Sequence, residues 1–217
     1  MARIDELGIR ENTLIIFTGD NGTARYGMGD QSGTVNGKPI SGRKGTMLEG
    51  GAHVPLIANW KGVTPEGAVN KDLVDFSDFR ATFAELAGST AKSDLTFDGV
   101  SFAPQLRGQA GKPREWIFVQ LGRNWYVREK DWKLNQAGEL YDMKNCPFEE
   151  KLVAADTTDT EATAARKRLQ AVLDKLNPAG GKVAPAGEGA GKAKKKAAKK
   201  EGAKKEGAKK QEKKAAE

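Results

Sequence analysis

Apolar residues fall into three kinds of pattern along the chain. Near the start, Leu14, Ile15, Ile16 and Phe17 form an unbroken run within residues 13–18, and VPLIANW (residues 54–60) forms a second. Short continuous runs suit strands covered on both faces, as in a parallel sheet. Residues 4–8 read as the last turns of a helix closed by Gly8. In LVDFSDFRATFAELAG (residues 73–88), Phe79, Phe83, Leu86 and Ala87 recur at i, i+4, i+7 and i+8, which predicts a helix with one apolar face. Ser77 stands where a cap would, and Gly88 ends the segment.

Beyond residue 116 the period shortens. WIFVQL, NWYVRE, DWKLNQ and ELYDM are aromatic-rich runs separated by turn residues, the mark of a small antiparallel sheet. Residues 161–176 then predict an amphipathic helix with Leu169, Val172, Leu173 and Leu176 on one face, stopped by Pro178. Between the two early strands, residues 22–51 are rich in glycine and poor in apolar side chains. A loop of that length is usually functional or disordered.

Composition divides the chain in two. The net charge of +7 comes from the end: residues 182–217 hold 13 Lys and 5 acids, which leaves 23 bases against 24 acids elsewhere. The end repeats AKKEG from Ala198; its regular glycines disfavour helix and it offers no apolar surface, so disorder is expected. The rest is long enough for one domain with a real core. One cysteine excludes an intramolecular disulfide. No run approaches the ~20 apolar residues of a membrane span, and the N-terminus has no signal-peptide core.

Candidate chemistry lies in two stretches. TGDNG places Asp20 and Asn21 at the end of the first strand, where ligand sites of open α/β sheets lie, and their oxygens suit a hard cation such as Ca²⁺ or Mg²⁺. Taken alone, the stretch reads first as a turn. In GRKGTMLEGGAHVP, Lys44 lies among glycines and donors and could hold an anion as a point charge, or be a solvated surface lysine. Glu49 could cap or brace this loop. His53, the single histidine, is of a kind more often packed and hydrogen-bonded than part of a site.

In order and spacing, ENTLIIFTGDNGT, GRKGTMLEGGAHVPLIANW, LVDFSDFRATFAELAG, DGVSFAPQLRG and WKLNQAGELYDM together resemble the C-terminal part of the sulfatase family, within the alkaline-phosphatase-like superfamily. The resemblance runs from about Ile4 to Leu176. It implies an α/β fold: a partial alkaline-phosphatase-like sheet-and-helix core over residues 1–110, a small antiparallel sheet with a C-terminal helix over 111–177, and a disordered Lys-rich tail over 178–217. It also implies that Asp20 and Asn21 are the second pair of ligands to one divalent cation, Ca²⁺ or Mg²⁺, and that Lys44 contacts the sulfate of a sulfated small molecule or glycan. No role passes to His53.

The family nucleophile is a formylglycine made within C/S-x-P-x-R, and no such pattern occurs in this sequence; Cys146, in NCPFEE, has the wrong spacing and reads as structural. No catalytic residue is therefore assigned. The first metal carboxylates lie upstream in the family, so the resemblance implies that the chain begins in mid-domain. The chain alone is expected to lack sulfatase activity and to bind Ca²⁺ weakly. Two other readings stay open: a phosphate or phosphonate ester hydrolase of the same superfamily, and a non-catalytic polyanion-binding protein acting through the tail by counterion release. Family members are often periplasmic or secreted; localisation stays open.

Overall fold

The computed structural model of the chain describes residues 1–24, 33–89 and 97–181. The tail expectation therefore falls outside the described residues from 182 onward. In chain order, α1 (Ala2–Glu6) and a 3₁₀ turn (Arg10–Asn12) lead into β1 (Ile15–Thr18). The glycine-rich segment holds β2 (Thr34–Val35), β3 (Lys38–Pro39) and one helical turn, α2 (Glu49–Ala52). Then come β4 (Leu56–Asn59), α3 (Asp78–Leu86) and α4 (Ala103–Leu106). The last part holds β5 (Ile117–Leu121), β6 (Asn124–Arg128), β7 (Trp132–Asn135), β8 (Leu140–Asp142), β9 (Lys151–Leu152) and α5 (Thr160–Leu176).

The two early apolar runs pair antiparallel rather than parallel, with Ile15 opposite Asn59 and Thr18 opposite Leu56. Nor are they covered on both faces. Phe17 and Ile57 stand directly opposite each other and remain 63% and 59% exposed. The reason is physical: among the described residues the sheet has two strands, and no third element lies over that face.

Helix α3 also departs from expectation. Its buried positions are polar, Asp78 and Thr82, while Phe83 is half exposed. Asp78 accepts hydrogen bonds from the backbone N–H of Asp75 (2.8 Å) and Val100 (2.7 Å) and from the Arg114 guanidinium. Thr82 Oγ1 accepts from Phe102 N at 3.0 Å. Hydrogen bonds thus decide which face turns inward, because the segments on either side of the helix supply N–H groups that need acceptors. Ser77 is not a side-chain cap; it donates to Asp75 instead (2.6 Å). The aromatics form a smaller cluster, with Phe79 edge-on to Phe102.

The C-terminal half matches the sequence pattern closely. Strands β5 to β9 form one antiparallel sheet in sequential order, and α5 lies across it. Trp125, Val127, Trp132 and Leu134 face Ala162, Ala165, Leu169 and Leu173 of the helix in the main core. Asp159 caps α5 by accepting from Ala162 N at 2.9 Å, and Asn177 ends it in the left-handed conformation. The short β9 carries no period-2 signal and was not expected. Leu176, expected on the buried face, is exposed in the last turn. Among the described residues no helix is long and apolar enough to cross a membrane.

Candidate functional site

Strand β1 ends in the turn that carries Asp20 and Asn21. The Asn21 amide donates to Asp20 Oδ1 at 2.8 Å, which fixes the two side chains against each other. Among the described residues, neither Asp20 Oδ2 nor the Asn21 side-chain oxygen accepts a hydrogen bond. This turn is joined to the lysine loop through the backbone. Gly22 N–H donates to Gly51 O (3.1 Å), and Lys44 N–H donates to Thr23 O (3.1 Å). The approach is so close that a Cβ on Gly22 would lie 1.6 Å from Gly50 O, and one on Gly50 would lie 2.4 Å from Gly42 O. Only glycine fits at either place. Lys44 itself is exposed.

The lysine loop is fastened from below to the C-terminal sheet. Glu49, 1% exposed, receives Arg128 Nη1 on both carboxylate oxygens at 2.7 Å. Its backbone N–H donates to Glu150 Oε1 at 2.9 Å. Glu150 also pairs with the buried Lys133, whose ammonium donates to Met47 O (3.2 Å) and lies over the rings of Tyr126 and Tyr141. Ser41 N–H reaches Pro147 O at 2.9 Å. Two buried charge pairs and several backbone bonds therefore set where residues 41–51 lie.

Burial pushes the Glu49 carboxyl up, but the hydrogen bond with His53 and the charge of Arg128 outweigh it, and the group sits below its ordinary 4.5. His53 Nδ1 lies 2.8 Å from Glu49 Oε2, and the ring is half exposed. Burial pushes the Tyr126 phenol and the Cys146 thiol well up, the latter to about 12, so Cys146 is an inert thiol under the loop.

The structure thus brings together the turn of Asp20 and Asn21 and the loop of Lys44. Asp20 and Asn21 fit a hard-cation site in chemistry, and they would be two of the six to eight oxygens Ca²⁺ takes. Among the described residues no group of three or more His, Cys, Asp or Glu is placed to hold a metal. Sequence reasoning reached Glu49 as a brace but missed its partners Arg128, Lys133 and Glu150. Strand parity held the signal. In β6 and β7 the core-facing residues alternate with Tyr126, Arg128 and Lys133, and charges on the second face of a strand that is buried throughout call for buried partners.

The mixed helix-and-sheet fold resembles that of solved sulfatases. The structure of BT4656 in complex with its substrate D-glucosamine-2-N,6-O-disulfate superposes with a TM-score of 0.59 at 23% identity, covering 81% of this chain and 36% of that one. BT1596, a 2-O glycosaminoglycan sulfatase, gives 0.54 at 22% identity, covering 77% and 36%. In sequence, residues 1–89 match the sulfatase family model, and the chain carries a sulfatase-family segment. N-acetylgalactosamine-6-sulfatase of Canis lupus familiaris is 37% identical over 108 residues, 50% of this chain and 20% of that protein. Arylsulfatase A of Homo sapiens is 38% identical over 120 residues, 54% and 22%. A sulfatase of Formosa agariphila is 41% identical over 106 residues, 48% and 18%. The chain thus spans about a fifth of the length of these curated relatives.

Proposed function

We propose that this chain contributes one side of a sulfuric ester hydrolase site acting on a sulfated sugar. One observation carries the reading: the backbone bonds Gly22–Gly51 and Thr23–Lys44 hold the oxygen pair and the lysine loop against each other. Asp20 and Asn21 would hold a divalent cation through the two oxygens that accept no hydrogen bond among the described residues. Lys44, exposed in the loop bonded to their turn, would hold sulfate oxygens as a point charge. A bound cation supplies Lewis-acid stabilisation of developing charge. The sulfated-sugar class is supported by the names of the relatives and by the substrate complex among the structural neighbours. In this reading, residues 1–110 form the catalytic part and 111–177 a subdomain that holds the lysine loop in place.

The test is a titration of the ¹⁵N-labelled chain with Ca²⁺ and then with inorganic sulfate, read by amide shifts. Ca²⁺ is expected to move Asp20, Asn21 and Gly22, an effect lost in Asp20→Ala. Sulfate is expected to move the amides around Lys44, an effect lost in Lys44→Ala. Ca²⁺ shifts that survive Asp20→Ala, or sulfate shifts confined to other lysines, would refute the assignment.

A further inference from the structure

Glu49 does more than brace the loop. Its carboxylate is buried and takes Arg128 Nη1 on both oxygens at 2.7 Å, and as the ionised partner of that pair it can only accept hydrogen bonds. The 2.8 Å contact with His53 Nδ1 therefore requires the proton on Nδ1. In the neutral ring this leaves Nε2 as an unprotonated acceptor. The half-exposed ring has no second partner among the described residues.

Position gives that acceptor a use. The chain at His53 runs beside the oxygen-pair turn. Two residues before it, Gly51 O takes the Gly22 N–H; one residue after it, the Val54 side chain lies 3.5 Å from the point where a Cβ on Gly19 would be. A buried carboxylate is costly to place, and one that fixes the tautomer of an otherwise solvated imidazole is the arrangement used wherever one ring nitrogen must present a defined hydrogen-bonding role. A cationic lysine on the loop bonded to the oxygen-pair turn, and an imidazole acceptor two residues past the second bond to that turn, suit a ligand with an anionic group and a neighbouring hydroxyl donor.

We propose that His53 is a substrate-binding residue whose Nε2 accepts a hydrogen bond from a hydroxyl of the sulfated sugar, with Arg128 and Glu49 as its positioning residues. This rests on the sulfated-sugar reading above and extends it from the sulfate to the sugar ring.

The single histidine makes the test direct. A long-range ¹H–¹⁵N spectrum of the imidazole in the intact chain separates the two neutral tautomers and the charged ring. The ring is expected as the Nδ1–H tautomer. Inorganic sulfate should move the Lys44 amides and leave Nε2 in place. N-acetylgalactosamine 6-sulfate should move both. A proton on Nε2, or an Nε2 signal unmoved by the sulfated sugar while the Lys44 amides shift, overturns the role of His53 and leaves the sulfate site standing. No shift at Lys44 with either ligand overturns the sulfate site and the proposal with it. Glu49→Gln should weaken the Nε2 response to the sugar and leave the Lys44 response to inorganic sulfate; an unchanged Nε2 response would refute the positioning role.

Discussion

Glu49 and Arg128 lie 79 residues apart in sequence, yet one guanidinium nitrogen of Arg128 sits 2.7 Å from both carboxylate oxygens of Glu49 in a buried pair. The pair joins the lysine loop to the C-terminal sheet. Removing one partner leaves the other charge buried without compensation. Arg128→Met should therefore destabilise the chain by about 3–5 kcal/mol in urea denaturation, whereas Glu49→Met with Arg128→Met should recover much of that loss. A double variant no more stable than the single one would show that the pair carries little coupling.

The same carboxylate makes stability depend on acid. The folded state holds Glu49 below its ordinary 4.5, so the unfolded chain binds the proton more readily. The stability it contributes is present above about pH 4.5 and is lost as the pH falls through the folded value. Glu49→Gln should flatten the slope of unfolding free energy against pH on that acid side. An unaltered acid slope would place the titration elsewhere.

Gly22→Ala should be among the most damaging small substitutions in the chain. Its Cβ would overlap Gly50 O at 1.6 Å, and a backbone oxygen cannot swing aside as a side chain can. A loss of about 3 kcal/mol or more is expected, with the amides of residues 41–51 displaced in the NMR spectrum. Wild-type stability and unshifted amides would mean that the two loops are not in contact.

Cys146 should be slow to alkylate. Burial first, and the charge of Glu49 next, push its thiol up to about 12, so the nucleophilic thiolate is scarce at pH 8. Iodoacetamide should modify the native chain far more slowly than the urea-unfolded chain; equal rates would contradict the burial.

Some parts of this structure were readable in the sequence because local periodicity decides them. The strands from Ile117 to Asp142 and the helix ending at Leu176 announce themselves by alternation and by the 3.6-residue period, and their core is built from the residues those periods select. The pairing of Ile15–Thr18 with Leu56–Asn59 was not readable: an unbroken apolar run carries no direction, and the face of Phe17 and Ile57 is open among the described residues. Nor was the inward face of α3, where Asp78 is buried because Arg114 and two N–H groups converge on it. For the site, Asp20, Asn21 and Lys44 came from motif order. The support under Lys44 did not, because Arg128, Lys133 and Glu150 reach it through long-range pairs that no local window contains.

The ties beneath the lysine loop also set a timetable for synthesis. The loop is made early, but the bond from Glu49 N–H to Glu150 spans 101 residues and that from Lys133 to Met47 spans 86. At about 5–20 residues per second, roughly 5–20 s pass before the ribosome has made the last anchoring side chain. For the first 79 residues of that interval Glu49 lacks the Arg128 guanidinium that receives it in the fold. The lysine loop, written into the first quarter of the chain, thus gains its last tie only once residue 150 has been made.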